Sequence, residues 1–104
     1  MPQTKPMNID TMDPRFNSVP QDEDTKLLKQ HPARLGDYPA CYQKWRWDGV
    51  IGESLIVVAE DVAHLSEPQL LELLRASPLL KPGSQITCKK DDEGFVFLNF
   101  NFQD

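Results

Sequence analysis

The chain has 104 residues and a mass of 11.9 kDa, one domain's worth by size. Its sixteen acidic and eleven basic residues give a net charge of −5, opposite to the balance of proteins that grip phosphate backbones. The longest unbroken apolar run, Leu55 to Ala59, is far short of the roughly 20 residues a spanning helix needs, so a membrane-spanning helix is excluded along with coiled-coil rods and collagen-like fibres.

Four prolines, Pro2, Pro6, Pro14 and Pro20, punctuate the first twenty residues. The apolar residues among them, Met7, Ile9, Met12, Phe16 and Val19, follow neither a helical nor a strand period. Residues 1–21 therefore read as a flexible arm with room to pack on its own domain or on a neighbour, and 22–104 as a single α+β domain. The N-terminus carries no apolar secretion signal, which predicts a cytoplasmic protein. In that compartment the two cysteines, Cys41 and Cys88, are expected as reduced, buried hydrophobes.

Asp22-Glu23-Asp24-Thr25 followed by Lys26 to His31 predicts a minor helix at about 24–31, acids first and bases after as the macrodipole prefers, stopped by Pro32. From Cys41 to Trp47 the pattern alternates: Cys41, Gln43, Trp45 and Trp47 on one face, Tyr42, Lys44 and Arg46 on the other. Asp48-Gly49 between aromatic and apolar flanks is a strong hairpin signal. The second strand is expected from about Val50 to Ala59, with a bulge at Gly52 and its apolar run central in the sheet. Ser66-Glu67-Pro68-Gln69 forms a capping box that opens the main helix at about 66–76, whose Leu70, Leu71, Leu73 and Leu74 make one apolar face. A third strand over 85–90, a turn at 91–94 and a fourth strand over 95–102 complete the chain. The order is α-ββ-α-ββ, a four-stranded, mainly antiparallel sheet on one main helix. The fourth strand is chain-terminal, hence an edge strand or one inserted between two others.

In that last strand Val96, Leu98, Phe100 and Phe102 alternate with Phe95, Phe97, Asn99 and Asn101. One helix covers one face of the sheet, so Phe95 and Phe97, with Trp45 and Trp47, need a second cover: the minor helix and arm, a second copy, or another partner. Gly94-Phe95-Val96-Phe97-Leu98-Asn99-Phe100 resembles the aromatic octamer of RNA-recognition-motif domains, which implies strand aromatics that stack on bases. Two departures stand in it: Val96 where the family has a small residue, and the acidic Glu93 where it has a basic one.

Catalytic and metal signatures are sparse. His31, His64, Cys41 and Cys88 are a nominal Cys2His2 set without the paired short spacings of structural zinc sites, so no metal and no cofactor is expected. Gly52-Glu53-Ser54 lacks the second glycine of a nucleophile elbow. The expectation is a small acidic cytoplasmic protein-binding or regulatory module without catalysis, using Trp45, Trp47, Phe95 and Phe97 for partner binding. Its partner would be another protein or a second copy of the chain, the homodimer being preferred. The alternatives are single-stranded nucleic-acid binding through the same aromatics and a small enzyme with a Cys/His site.

Overall fold

A computed structural model describes residues 12–103, so the first eleven residues of the expected arm lie outside the described part. Lys26–Leu35 (β1), Tyr38–Trp47 (β2) and Val50–Val58 (β3) precede the helix Glu67–Arg75 (α1), and Thr87–Lys90 (β4) and Phe95–Gln103 (β5) follow it. Short 3-10 turns stand at Pro14–Ser18 and Ala59–Val62. The five strands form one antiparallel sheet in the order β1-β2-β3-β5-β4. The class is α+β as expected, with five strands where four were expected and three of them before the helix.

The segment read as a minor helix at about 24–31 is instead the first half of β1. Leu35 pairs with Tyr38, so Gly36 and Asp37 form a two-residue hairpin loop. Gly36 has φ +60 and Asp37 is not among the positive-φ residues, the pattern of a turn with glycine at its first central position. Nine residues paired with β2 outweigh a local preference for helix worth only tenths of a kcal/mol per residue, roughly 0.7 at most. As an edge strand β1 tolerates Pro32, and its register slips by one residue between Leu27 and Lys29. The hairpin at Asp48-Gly49 forms as expected, with φ +51 and +81 at its two central residues.

Chain-terminal β5 is not an edge: it lies between β3 and β4. The bulge expected at Gly52 sits opposite it, in β5, where Ile51 pairs with Gln103 but Glu53 with Phe100. Asn101 carries the extra residue at φ +54, in the left-handed region asparagine tolerates. Its buried side chain receives Lys81 N at 2.9 Å and donates to the Leu79 carbonyl at 2.8 Å, which ties the loop after α1 to the sheet. The bulge also moves Phe102 to the other face, where its ring meets Trp45 edge-on at 6.1 Å.

On the helix face the capping box is formed, with Gln69 N donating to Ser66 Oγ and Ser66 N to Gln69 Oε1. Leu70 and Leu74 are fully buried against Leu35, Leu55, Leu98 and Phe100. Each such burial is worth about 1.5–3 kcal/mol. The buried Glu53 accepts a hydrogen bond from Tyr42 Oη at 2.9 Å, and burial with this carboxylate pushes the Tyr42 hydroxyl above its usual range.

Candidate functional site

Among the described residues, the face away from α1 is covered at one end only. There Phe16 and Val19, both buried, close over Cys41, Ile56, Val58 and Phe95. The Phe16 and Phe95 rings lie 6.1 Å apart. The described part of the arm is fastened by Arg15, whose guanidinium bonds Asp13 at 2.8 Å and, through both terminal nitrogens, Asp61 at 2.9 Å. These two carboxylates raise the Arg15 pKa still further, and Arg15 in turn holds Asp13 below its ordinary 3.8.

At the other end of the same face a cleft of about 610 Å³ is open, with Gln43, Trp45, Ser54, Phe97 and Asn99 in its floor and Trp47 on its wall. Asp22, Lys89 and Asp91 are its charged lining residues. The strand register places five polar side chains in one row across the whole sheet, Gln30, Gln43, Ser54, Asn99 and Thr87. They form two hydrogen-bonded groups, one of which includes Trp45. Trp45 Nε1 donates to Ser54 Oγ at 2.8 Å, Ser54 to Asn99 Oδ1 at 2.6 Å, and Asn99 Nδ2 to Thr87 Oγ1 at 3.2 Å. On the far side Gln43 Nε2 donates to Gln30 Oε1 at 2.9 Å.

Gly52 makes this arrangement possible. The Trp45 benzenoid ring lies over it so closely that a Cβ there would sit 2.4 Å from a ring carbon. The close approach requires glycine, and it leaves the outer side of the indole to the cleft. Next to the cleft, the four exposed large hydrophobic residues among the described residues stand at one end of the sheet. Leu27 pairs with Trp45, Leu28 follows it, Trp47 ends β2, and Phe102 packs on Trp45. At 47% Trp47 is the most exposed of them.

Of the four residues singled out in the sequence, Trp45, Trp47 and Phe97 come together in the cleft. Phe95 does not: it lies beneath Phe16, 4% exposed. Gln43, Ser54, Asn99 and Phe102 complete the site. Only polar residues interrupting the inward pattern of two apolar strands could have signalled Ser54 and Asn99.

The cysteines and histidines are dispersed. Cys41 is buried under the arm, where burial pushes its thiol up to about 11. Cys88 packs on the helix face, and its thiol is raised too, first by burial. His31 stacks on Tyr42 at 4.6 Å, and His64 Nε2 shares a 2.8 Å hydrogen bond with Tyr38 Oη. Among the described residues no three His, Cys, Asp or Glu side chains are grouped as a metal ion would require, and no helix is long and apolar enough to cross a membrane. Comparison with protein-family models, curated proteins and solved structures found no match to this chain.

Proposed function

We propose that the protein is a binding module without catalytic activity, and that it captures another protein with the open end of the cleft face. The observation that carries this reading is the gathering of Leu27, Leu28, Trp47 and Phe102, exposed together beside a polar-floored cleft. Large hydrophobics scattered singly need no explanation, but a contiguous patch rimmed by polar groups marks an interaction surface. Aromatic anchors around a small cleft are the usual centre of such an interface.

A nucleic acid fits this end less well, because Asp22 and Asp91 flank the aromatics and only Lys89 among the lining side chains is cationic. A second copy is the less suited protein partner. Two-fold self-association would bring net-acidic faces together, and β5, inserted between two strands, has no free edge with which to pair. Raised thiol pKa values at Cys41 and Cys88 work against an activated nucleophile at either position.

The test is site-specific photo-crosslinking in the cell that makes the protein, with benzoylphenylalanine replacing Trp47 in one version and Glu72 on the helix in another. A discrete adduct with another protein is expected from position 47 and not from 72, and it should vanish when Trp45→Ala is added. Adducts indifferent to position, or none from position 47, would overturn the reading.

A further inference from the structure

Behind the exposed apolar patch, on the helix side of the sheet, the same end carries a cluster of cations. Directly opposed residues of antiparallel strands point to one face, and here Lys26 opposes Arg46 while Lys29 opposes Lys44. The bulge between Leu27 and Lys29 brings both lysines of β1 to that face despite their odd spacing. Lys44 and Arg46 share it with Tyr42 by alternation, beyond the core packed on α1. Four of the chain's eleven basic residues thus stand in a patch two strands wide. Among the described residues none of the four is ion-paired. Glu53, the residue of β3 opposite Lys44, is buried and bonded by Tyr42. Like charges set directly opposite each other repel, and an anion from outside relieves that repulsion.

The strand edge beside these cations is open. Among the described residues no strand lies beyond β1, so half of its backbone N–H and C=O groups face away from β2, and Lys26 to Gln30 are all exposed. An extended segment adds to such an edge by backbone hydrogen bonds, while its alternate side chains give specificity. Those side chains meet two different surfaces here. On the helix side are Lys26 and Lys29, with Lys44 and Arg46 one strand spacing of about 5 Å behind, inside a screening length of about 8–10 Å. On the cleft side is the exposed Leu27, opposite Trp45. Lysine on an edge strand deters uncharged and basic strands, and it admits an acidic one.

We infer that β1 takes an extended acidic segment of the partner protein as an added strand along residues 26–31, its carboxylates over Lys26 and Lys29 and its apolar side chains beside Leu27. Pro32, which has no N–H to give, ends the stretch available for pairing. A nucleic acid or a lipid headgroup answers the cations alone, and neither pairs with a strand edge. This inference rests on the binding-module reading and names the chemistry of its partner.

The experiment follows the backbone amides of the intact protein by NMR during titration with a capped heptapeptide of alternating glutamate and valine. One matched peptide carries glutamine for glutamate, which keeps the strand pattern and loses the charge. Another has its central amides N-methylated, which keeps the charge and blocks edge pairing. At low salt the glutamate peptide is expected to bind about tenfold more tightly than either, as a few exposed ion pairs together allow, and to shift the amides of residues 26–31 most. Added salt should erase its advantage over the glutamine peptide in the unaltered protein. Lys26→Gln combined with Lys29→Gln, at exposed positions that lose only like-charge repulsion, should erase it too, while Lys81→Gln on the loop after α1 should not. Equal binding of the glutamate and glutamine peptides, undiminished binding of the methylated one, or no binding of any peptide would overturn the inference. Tighter binding of a short oligothymidylate or of phosphatidylserine vesicles than of the glutamate peptide would overturn it in favour of nucleic acid or a membrane surface. The crosslink at position 47 is read independently: a protein adduct there with no glutamate preference leaves the module reading standing and this inference fallen, while loss of both results removes both.

Discussion

The two ends of the cleft face are built from the same kind of residue and treated in opposite ways. At one end Phe95, Ile56 and Val58 lie under Phe16 and Val19, with an ion-paired Arg15 fastening the cover. At the other, Trp45, Trp47, Phe97 and Phe102 stay wholly or partly exposed. What separates the ends is the polar row. Gln43, Ser54 and Asn99 would each need partners under an apolar lid, and where the sheet supplies them from within, the surface stays soluble without being covered. One end therefore contributes stability, and the other leaves its aromatic side chains accessible. Substitutions should divide accordingly.

The largest effect is expected from Phe16→Ala at the covered end. The ring is 6% exposed and packs on Phe95, so its removal should cost about 3 kcal/mol, read as a lower denaturant midpoint. The mirror substitution at the open end, Trp47→Ala, should move the midpoint by less than about 0.5 kcal/mol. If the two effects are similar, the division between the ends is not real.

Gly52→Ala comes next, because it forces a methyl into the plane occupied by Trp45. The ring must lift, breaking its bond to Ser54, at a cost of about 1–3 kcal/mol and with a shift of the tryptophan emission. Ser54→Ala leaves the ring in place but unpairs the Trp45 N–H and Asn99 Oδ1, for about 1–2 kcal/mol in the same denaturation measurement. Should Ser54→Ala prove as costly as Gly52→Ala, the hydrogen bonds and not the close approach of the ring hold Trp45.

The sequence made the α+β class, the main helix with its capping box, and the Asp48-Gly49 hairpin legible, because each is written in a few neighbouring residues. It also separated the faces of β2 and β5 correctly as far as Asn99. β1 was misread since Lys26 to His31 is locally a fair helix, and what decides it is pairing with residues ten or more positions away. The Gly36-Asp37 dipeptide between Leu35 and Tyr38 was the available signal. Phe102 was placed on the wrong face because the bulge at Asn101 depends on its neighbours in the sheet and on the 79–84 loop. The aromatic half of the site was visible as alternation, but the polar row exists only through the register of five strands.

Acid should act on the covered end alone. Side-chain and backbone hydrogen bonds from Arg15 hold the Asp13 carboxyl below its ordinary value of 3.8. A lowered native pKa contributes stability that is fully present above the unfolded value and is lost as pH falls through the native one, so this part of the arm should loosen only below about pH 4. Amide exchange at Phe16 and Val19 should rise there while exchange around Ser54 and Asn99 does not. Exchange rising together at both ends would mean that the arm opens only with the whole fold.

Arg15→Ala is expected to change global stability only slightly, and it separates the ends most cleanly. Arg15 is 43% exposed, and an exposed ion pair is worth at most about 1 kcal/mol, so the denaturation midpoint should scarcely move. Cys41 nevertheless lies beneath the segment that Arg15 fastens, and burial pushes its thiol up to about 11. Whenever the arm lifts, that thiol returns toward its ordinary 9.0 and meets solvent, so its alkylation rate at mildly alkaline pH counts opening events of the covered end alone. Loss of the fastening should raise that rate several-fold, up to about fivefold for 1 kcal/mol. Cys88 is half-buried on the helix face, away from the described part of the arm, so it serves as the internal reference and its rate should stay constant. Acceleration confined to Cys41 makes the arm a unit that opens by itself over a sheet that does not, whereas parallel acceleration of both thiols would make cover and sheet one cooperative body.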